Sequence, residues 1–313
     1  MKHHGTTTLS GLDPGYLAAK ENLTAGKARK PLPKRQYGRT KEKLSIIGFG
    51  GMVVKDVTPR EAANFVAEAV DRGVNYFDVA PYYGNAQQRL GPALKPHRQN
   101  CFLACKTLER DAAGASKELH QSLKLLKTDH FDLYQLHALI DVEEVEQAFG
   151  PGGAMETILK AKQDGKIRYI GFSAHSEEAA HAAMDRFDFD SILFPFNFPT
   201  WIKANFGPSV YQRAKKTGMG ILALKPMAHQ LWPKGKKRRW DKTFYEPFDD
   251  IDMAALGLRF TLHLPATAMF PPGHWELFQM ALDLAQAGKI VPLNDSERKI
   301  IEKIAKKSEP IFP

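Results

Sequence analysis

A regular alternation of short apolar runs with amphipathic segments is the sequence feature that most constrains the fold of this chain. Eight runs of strand length recur over roughly 250 residues, the first at 44–51 and the last at 266–270, and helical patterns separate them. This alternation predicts an α/β protein whose eight parallel strands close into a (β/α)8 TIM barrel. An open doubly wound sheet is the alternative, weakened because no GxGxxG pattern opens a helix after the first strand.

The 313 residues divide into a barrel and two flanking segments. We predict a single domain at 37–290, since barrels of this class exceed the usual domain size as one unit. Residues 1–36 are rich in Gly, Thr, Pro and Lys, which predicts an extension on the surface with a short helical patch at 17–23. Its start, MKHHG, is interpreted as a tag remnant. Residues 291–313 predict a C-terminal helix and tail.

Charge and composition limit the classes of partner. The net charge of +9 favours an anionic ligand, but the basic runs are barely interleaved with aromatic residues, so we expect no nucleic acid. No apolar run reaches the roughly 20 residues of a membrane span and no signal-peptide core is visible. We therefore expect a soluble cytoplasmic protein without membrane contact, a monomer or small homo-oligomer, with an exported mature form left open.

The cysteine and histidine spacings argue against disulfide and metal chemistry. Cys101 and Cys105 lie four residues apart on one predicted strand, so their side chains share a face but are too far apart to bridge. The histidines show neither HxH nor HExxH spacing, and no metal site is predicted.

Polar residues follow three neighbouring strands of the predicted barrel. The stretch 74–84, VNYFDVAPYYG, contains Asp78 at the end of its apolar run and Tyr83 five residues later. The run CFLACK ends in Lys106, and FDLYQLH ends in His137. Taken singly, each residue has a structural explanation, and Tyr82 is a rival for the role of Tyr83. Because the carboxyl ends of barrel strands share one rim, we expect the four side chains to converge there.

These four residues suit the protonation of an oxygen during carbonyl reduction. A phenol is a weak acid near neutral pH, and a cation close to Tyr83 favours its phenolate form. Lys106 can supply that cation, with Asp78 as its counter-charge, and His137 can orient a carbonyl. The set contains no source of hydride, so a nicotinamide cofactor would be required.

Four spaced motifs in the same order resemble the aldo-keto reductase family. They are VNYFDVAPYYGNAQQRLG at 74–91, LACKT at 103–107, DLYQLHAL at 132–139 and GKIRYIGFS at 165–173, preceded by an opening similar to the family's at 31–51. The resemblance implies the (β/α)8 fold and NAD(P)H-dependent reduction of aldehydes and ketones. It implies Tyr83 as general acid, Lys106 and Asp78 lowering its pKa, and His137 orienting a small-molecule carbonyl substrate.

The resemblance also implies a cofactor channel, with NADPH as the expected cofactor and NADH left open. Its residues would be Gly51 and Met52 at the start, Asp78, Ser173 at the carboxamide, Lys225, Pro226 and Met227 along the pyrophosphate, and Gly273 near the adenosine.

The sequence departs from the family pattern along this channel. Ala174 stands where Asn is expected after Ser173, Leu193 stands where Gln is expected, and 271–277 is short. The segment 271–277 lacks the basic and hydroxyl residues that hold the adenosine 2′-phosphate of NADPH in the family. The basic run 234–239 could replace them. These departures keep a second hypothesis open, in which a catalytically weak or inactive barrel acts as a nucleotide sensor or protein-interaction module.

Overall fold

Eight parallel strands form a single sheet in the computed structural model of the chain, which describes residues 30–312. Each strand pairs with its neighbours in sequence, and a bridge between Ile47 and Met269 joins the first strand to the last. The N–H of Gly48 donates to the carbonyl of Met269 at 2.9 Å. The predicted barrel is therefore confirmed. We number its strands one to eight: Phe49–Gly50, Tyr76–Asp78, Phe102–Thr107, Phe131–Leu139, Ile167–Ala174, Ser191–Pro195, Gly220–Leu224 and Ala268–Phe270.

Helices separate the strands and cover the barrel. The first begins after Thr58, whose hydroxyl accepts the N–H of Glu61 while the Glu61 carboxylate accepts the N–H of Thr58, a capping box that satisfies both groups. Within the described residues the α-helices are Pro59–Asp71, Ala86–Leu94, Ala112–Leu126, Val142–Phe149, Ala154–Gln163, Glu177–Arg186, Phe198–Lys203, Pro208–Lys216, Ile251–His263, Trp275–Gln286 and Asp295–Lys307.

The amino end of the barrel interior is filled by large side chains. Tyr76 on strand two lies at the centre of this cluster, with ring centroids 5.6 Å from Phe102 and 5.0 Å from Phe270. Tyr37 and Leu193 belong to the same buried cluster. Packing of this kind leaves no continuous channel through the barrel, so polar chemistry is confined to the carboxyl ends of the strands.

Four local predictions differ from the structure. The single strand expected at 44–51 is divided, because Lys43–Ser45 pairs with Lys34–Gln36 in a hairpin and only Phe49–Gly50 joins the barrel sheet. The loops at 138–153 and 198–207, which together with 227–250 are expected from the sequence to build the substrate pocket, contain the helices Val142–Phe149 and Phe198–Lys203. The loop at 227–250 contains a hairpin of Ala228–Leu231 and Tyr245–Pro247.

The domain boundaries remain predictions. The hairpin strand Lys34–Gln36 falls within the segment assigned to the extension, adjoining the predicted boundary at 36. The helical patch at 17–23 and the interpreted tag remnant lie outside the described residues. Within 30–312, no helix has both the length and the apolar character that would let it cross a bilayer.

Candidate active site

A buried ion pair lies at the carboxyl ends of strands two and three. Lys106 is fully buried and its ammonium donates to Oδ1 of Asp78, which is also buried. Gln135, on strand four, donates from Nε2 to the other carboxylate oxygen, Oδ2, at 3.0 Å. Both oxygens of Asp78 are therefore hydrogen-bonded, which is the condition under which a buried carboxylate is tolerated.

Tyr83 lies in the turn that follows strand two and packs beside this ion pair. Its ring centroid is 5.3 Å from Nζ of Lys106 and 5.8 Å from that of His137, which meets it edge-on at 81°. The neighbouring Tyr82 is 77% exposed and has no such contact. The structure thus brings Tyr83, Lys106, Asp78 and His137 together, and it favours Tyr83 over Tyr82 as the phenol beside the ammonium.

A distorted backbone at the end of strand four sets the position of His137. The next residue, Ala138, has a φ of +56°, a left-handed conformation that costs an alanine on the order of 1–2 kcal/mol. Two neighbours hold it: Oγ of Ser173 accepts the N–H of Ala138 at 2.7 Å, and Arg110 donates to the carbonyl of His137 at 2.7 Å. Strained backbone fixed by its surroundings is characteristic of functional sites.

The two members of the ion pair have perturbed pKa values for different reasons. Burial by itself lowers the pKa of Lys106, but the adjacent Asp78 carboxylate, with smaller contributions from Tyr83 and Cys105, outweighs it, and the pKa lies above its ordinary value. Burial raises the pKa of Asp78, and the Lys106 ammonium and the Gln135 amide offset part of that rise. Lys106 therefore remains a cation at neutral pH.

The pKa of Tyr83 differs from the expectation. We predicted that Lys106 and Asp78 together lower it. Burial raises the pKa most strongly, Lys106 lowers it, and Asp78 raises it, so the pKa of Tyr83 lies above its ordinary value. The reason is that the Asp78 carboxylate disfavours the negative phenolate of Tyr83, although it favours the ammonium of Lys106. The phenol consequently keeps its proton at neutral pH.

His137 is an uncharged imidazole at neutral pH. Burial and the surrounding cations, Lys106 first among them, hold its pKa well below the usual range. Its Nδ1 is buried and makes no hydrogen bond within residues 30–312. A neutral ring has one N–H to donate and one nitrogen that accepts, so it can orient a carbonyl oxygen without adding charge.

The predicted cofactor residues that follow strands one and eight lie in contact with each other. A Cβ placed on Gly273 would overlap the Cβ of Met52, so the two loops touch only because Gly273 has no side chain. A Cβ on Gly51 would lie 2.6 Å from Cγ2 of Val79. Lys242, from the loop after strand seven, reaches the same place and donates to the carbonyl of Val53 at 3.4 Å.

The predicted cofactor residues Ser173, on strand five, and Lys225, after strand seven, differ from their apolar neighbours in that they have polar groups to offer a ligand. Ser173 is buried and, while accepting from Ala138, still has its own O–H to donate. Ala174 and Leu193 are buried and apolar. After strand seven, Lys225 is 9% exposed.

The two residues after Lys225 carry no charge. Met227 is buried, and its carbonyl accepts the N–H of Phe248 at 2.8 Å. Pro226 has no N–H to donate. The side chain of Lys225 is therefore the charged group of this triplet.

The basic run at 234–239 is exposed on the loop after strand seven. Lys236 pairs with Glu246, and Arg239 lies 3.2 Å from Asp249 while its guanidinium covers the Trp240 ring. Ion pairs of this exposed kind contribute little to stability, and they leave the run accessible to a phosphate.

The sequence analysis missed three residues of this site: Gln135, Arg110 and His175, whose Nε2 lies 3.3 Å from Nζ of Lys225. Gln135 could have been found, because residues two apart on a strand face the same side and Gln135 precedes His137 by two. Nothing in the local sequence singles out Arg110 or His175, whose contacts come from other strands. Among the described residues, no group of three or more His, Cys, Asp or Glu side chains is placed to hold a metal ion.

Comparisons with known proteins relate the chain to one family and to oxidoreductases. A model described as the aldo/keto reductase family matches residues 46–306. The uncharacterized oxidoreductase YqkF of Bacillus subtilis is 25% identical over 301 residues, covering 86% of this chain and 95% of that protein. L-galactose dehydrogenase of Arabidopsis thaliana is 27% identical over 224 residues, covering 66% of this chain and 69% of that protein.

A solved structure shows the same fold. The aldo-keto reductase AKR11C1 from Bacillus halodurans, in its holo form, superposes with a TM-score of 0.68 at 24% identity. The match covers 91% of this chain and 99% of that one.

Proposed function

The chain belongs to the aldo/keto reductase family, and from that premise we propose that it reduces the carbonyl group of an aldehyde or ketone to an alcohol with NADPH. The observation that carries the proposal is the cluster of Tyr83, Lys106, Asp78 and His137 at the carboxyl end of the barrel. Family membership supports an oxidoreductase, and the cluster supports the chemistry of its proton.

In the proposed mechanism, Tyr83 is the general acid. Its phenol holds a proton at neutral pH and gives it to the carbonyl oxygen as negative charge develops there. The Lys106 ammonium, 5.3 Å from the ring centroid, stabilises the phenolate that remains. Asp78 holds the ammonium in place, with Gln135 fixing the carboxylate. A donor of this kind typically contributes about 10²–10⁴-fold to a rate.

His137 orients the substrate in this mechanism. Its neutral imidazole, with a ring centroid 5.8 Å from that of Tyr83, offers an N–H to the carbonyl oxygen. The Ser173 and Arg110 contacts keep the adjoining peptide fixed, which limits the loss of orientation that would slow the reaction.

The residues along the channel fit a nicotinamide nucleotide. Gly51 and Gly273 allow the loops after strands one and eight to pack closely. Ser173 has an O–H for the carboxamide, and Lys225 is a buried lysine without a carboxylate partner in the described part of the chain. When bound, the cofactor supplies hydride to the carbonyl carbon. The exposed basic run at 234–239 supports NADPH over NADH, since a 2′-phosphate adds charge that such residues attract.

The test compares Tyr83→Phe with Tyr82→Phe, a matched change one residue away. With NADPH and 4-nitrobenzaldehyde, we expect Tyr83→Phe to lose about 10²–10⁴-fold in kcat/KM, since the proton donor is gone. Quenching of protein fluorescence by NADPH, and by NADH as a comparison, should show that both variants bind the cofactor as the unmodified protein does.

Three outcomes would contradict the proposal. Full turnover by Tyr83→Phe would remove its role as acid, and equal losses in both variants would indicate a structural effect. Failure of the unmodified protein to bind either nucleotide at millimolar concentration would favour a barrel that is not a reductase.

A further inference from the structure

One carboxylate oxygen joins the turn after strand four to the loop after strand three. Oε2 of Glu144 accepts the N–H of Ile140 at 3.0 Å, and it also accepts Nη2 of Arg110 at 3.1 Å. Glu144 lies in the first turn of the helix Val142–Phe149. Through this one side chain, the helix therefore contacts both segments that adjoin the peptide of His137.

Arg110 carries the contact to His137. Its side chain is buried, and Nη2 has two N–H groups, one for Glu144 and one for the carbonyl of His137 at 2.7 Å. Nε of Arg110 is buried and makes no hydrogen bond within residues 30–312. A guanidinium cannot lose its charge, so at this depth it depends on the Glu144 carboxylate as its counter-charge. Without that carboxylate, we expect the guanidinium to move towards water and away from the His137 carbonyl.

The peptide unit between His137 and Ala138 is held at both of its polar groups. Arg110 donates to its carbonyl, and Ser173 accepts its N–H. The left-handed φ of +56° at Ala138 persists only where the surroundings fix it. Glu144 holds Arg110 and the turn that follows, so losing Glu144 would leave Ser173 as the remaining restraint.

The far end of the same segment fixes the loop that carries Arg110. The N–H of Ala154 donates to the carbonyl of Arg110 at 2.8 Å, and the N–H of Ala112 donates to the carbonyl of Gly152 at 2.7 Å. The segment 140–154 is thus tied at both ends to the loop after strand three. The helix within it holds the Glu144 carboxylate at a fixed place beside the guanidinium.

We propose that Glu144 is a positioning residue: through Arg110 and the turn 138–140, it keeps the imidazole of His137 in the orientation that directs its N–H at the substrate carbonyl. The proposal rests on the proposed function and adds to it a residue that acts through another. A displacement of about 1 Å in an orienting group can lower a rate by about 10²-fold.

The kinetic test compares Glu144→Ala with Glu143→Ala, a matched loss of an exposed carboxylate in the same helical turn. With NADPH and 4-nitrobenzaldehyde, we expect Glu144→Ala to lower kcat and kcat/KM equally, by about 10–100-fold, because a displaced imidazole stabilises the transition state less well. Glu143→Ala should keep both values, and both variants should bind NADPH as the unmodified protein does. Glu144→Gln keeps an oxygen that can accept both N–H groups, so it should recover most of the rate.

A double variant tests whether the two side chains act as a unit. Arg110→Met should lower kcat as Glu144→Ala does, and the combination should lose little more than either change alone, because both act through the same peptide. Fully additive losses would show that Glu144 does not act through Arg110 and would overturn the proposal.

Hydrogen exchange needs no turnover and separates this proposal from the proposed function. The N–H of Ala138 donates to Ser173, so Glu144→Ala leaves its partner in place. We expect the amide of Ala138, followed by NMR, to exchange about 10-fold faster or more in Glu144→Ala and at the original rate in Glu143→Ala. If no carbonyl is reduced but this exchange responds to Glu144, the reductase assignment fails and the positioning of the turn by Glu144 stands.

Two further results would overturn the role of Glu144. One is full kcat in Glu144→Ala, whatever the exchange rate at Ala138. The other is an equal loss of kcat in Glu144→Ala and Glu143→Ala, which would assign the effect to negative charge at the start of the helix.

Discussion

Two buried lysines at the same rim of the barrel differ in how their charge is compensated. Lys106 donates to Asp78, and the pKa of its ammonium is raised. Lys225 contacts an imidazole and two aromatic rings, and the pKa of its ammonium falls to about 7. The same side chain is thus neutralised within the protein at one position and left for a ligand at the other. The first arrangement suits a fixed catalytic electrostatic field, and the second suits recognition.

The largest expected effect comes from breaking the compensated pair. Lys106→Met removes the cation that stabilises the Tyr83 phenolate, so we expect kcat/KM for 4-nitrobenzaldehyde to fall by about 10²–10⁴-fold. Lys124→Met, an exposed lysine on the helix Ala112–Leu126, is the control and should retain activity. Retention of most activity by Lys106→Met would show that the ammonium does not act on the phenol.

The pH dependence of stability should reveal the uncompensated lysine. The folded-state pKa of Lys225 is about 7 and its ordinary value is 10.5. Between these values the unfolded chain binds more protons, so the free energy of unfolding should rise as pH increases from 7 to 10.5. The penalty is fully present below pH 7 and amounts to a few kcal/mol, on the order of 1.4 kcal/mol per pKa unit.

The measurement is urea unfolding across that pH range for the unmodified protein and Lys225→Met. The difference between the two curves isolates Lys225 from the other groups that titrate there. Parallel curves would show that Lys225 titrates normally in the folded state and would remove the contrast between the lysines.

The smallest expected effect concerns Gln135, which positions Asp78. Gln135→Leu leaves Oδ2 of Asp78 without its donor, which should cost about 1–3 kcal/mol of stability. Because a hydrogen bond to the carboxylate lowers its pKa, losing the bond raises it, and the acidic limb of the kcat/KM profile should move to higher pH.

The control for this substitution is Gln286→Leu. Gln286 is also buried and accepts from Arg72 at 2.8 Å, away from the four clustered side chains. Gln286→Leu should lower the free energy of unfolding without moving the pH profile of kcat/KM. An identical shift in both variants would mean that Gln135 has only a structural role.

The sequence was sufficient to predict the barrel and the convergence of four side chains, and the physical reason is the same for both. Strand alternation specifies a parallel sheet, and a parallel sheet brings the residues that end its strands to one rim. Asp78, Lys106 and His137 lie within two residues of the carboxyl ends of consecutive strands, so their proximity followed from their order in the chain. Their catalytic roles remain predictions.

Features that depend on contacts between distant segments could not be predicted in this way. The position of the His137 peptide depends on Arg110, in the loop after strand three, and on Ser173, on strand five. The helix Val142–Phe149 is capped by Asp141, whose carboxylate accepts the N–H of Glu144 at 2.8 Å, and such a cap is easily missed in a stretch expected to be a loop. The pKa of Tyr83 also depended on burial, which a sequence does not quantify.

The most direct test of the contrast between the two lysines is urea unfolding of Lys106→Met and Lys225→Met at pH 6. Lys106→Met leaves Asp78 as an unpaired buried carboxylate, so the free energy of unfolding should fall by about 3–5 kcal/mol. Lys225→Met removes an uncompensated buried cation, so it should rise, by about 1–4 kcal/mol, reduced by the lost contacts with the aromatic rings. Opposite signs are the predicted result, and a loss of stability of similar size in both variants would contradict it.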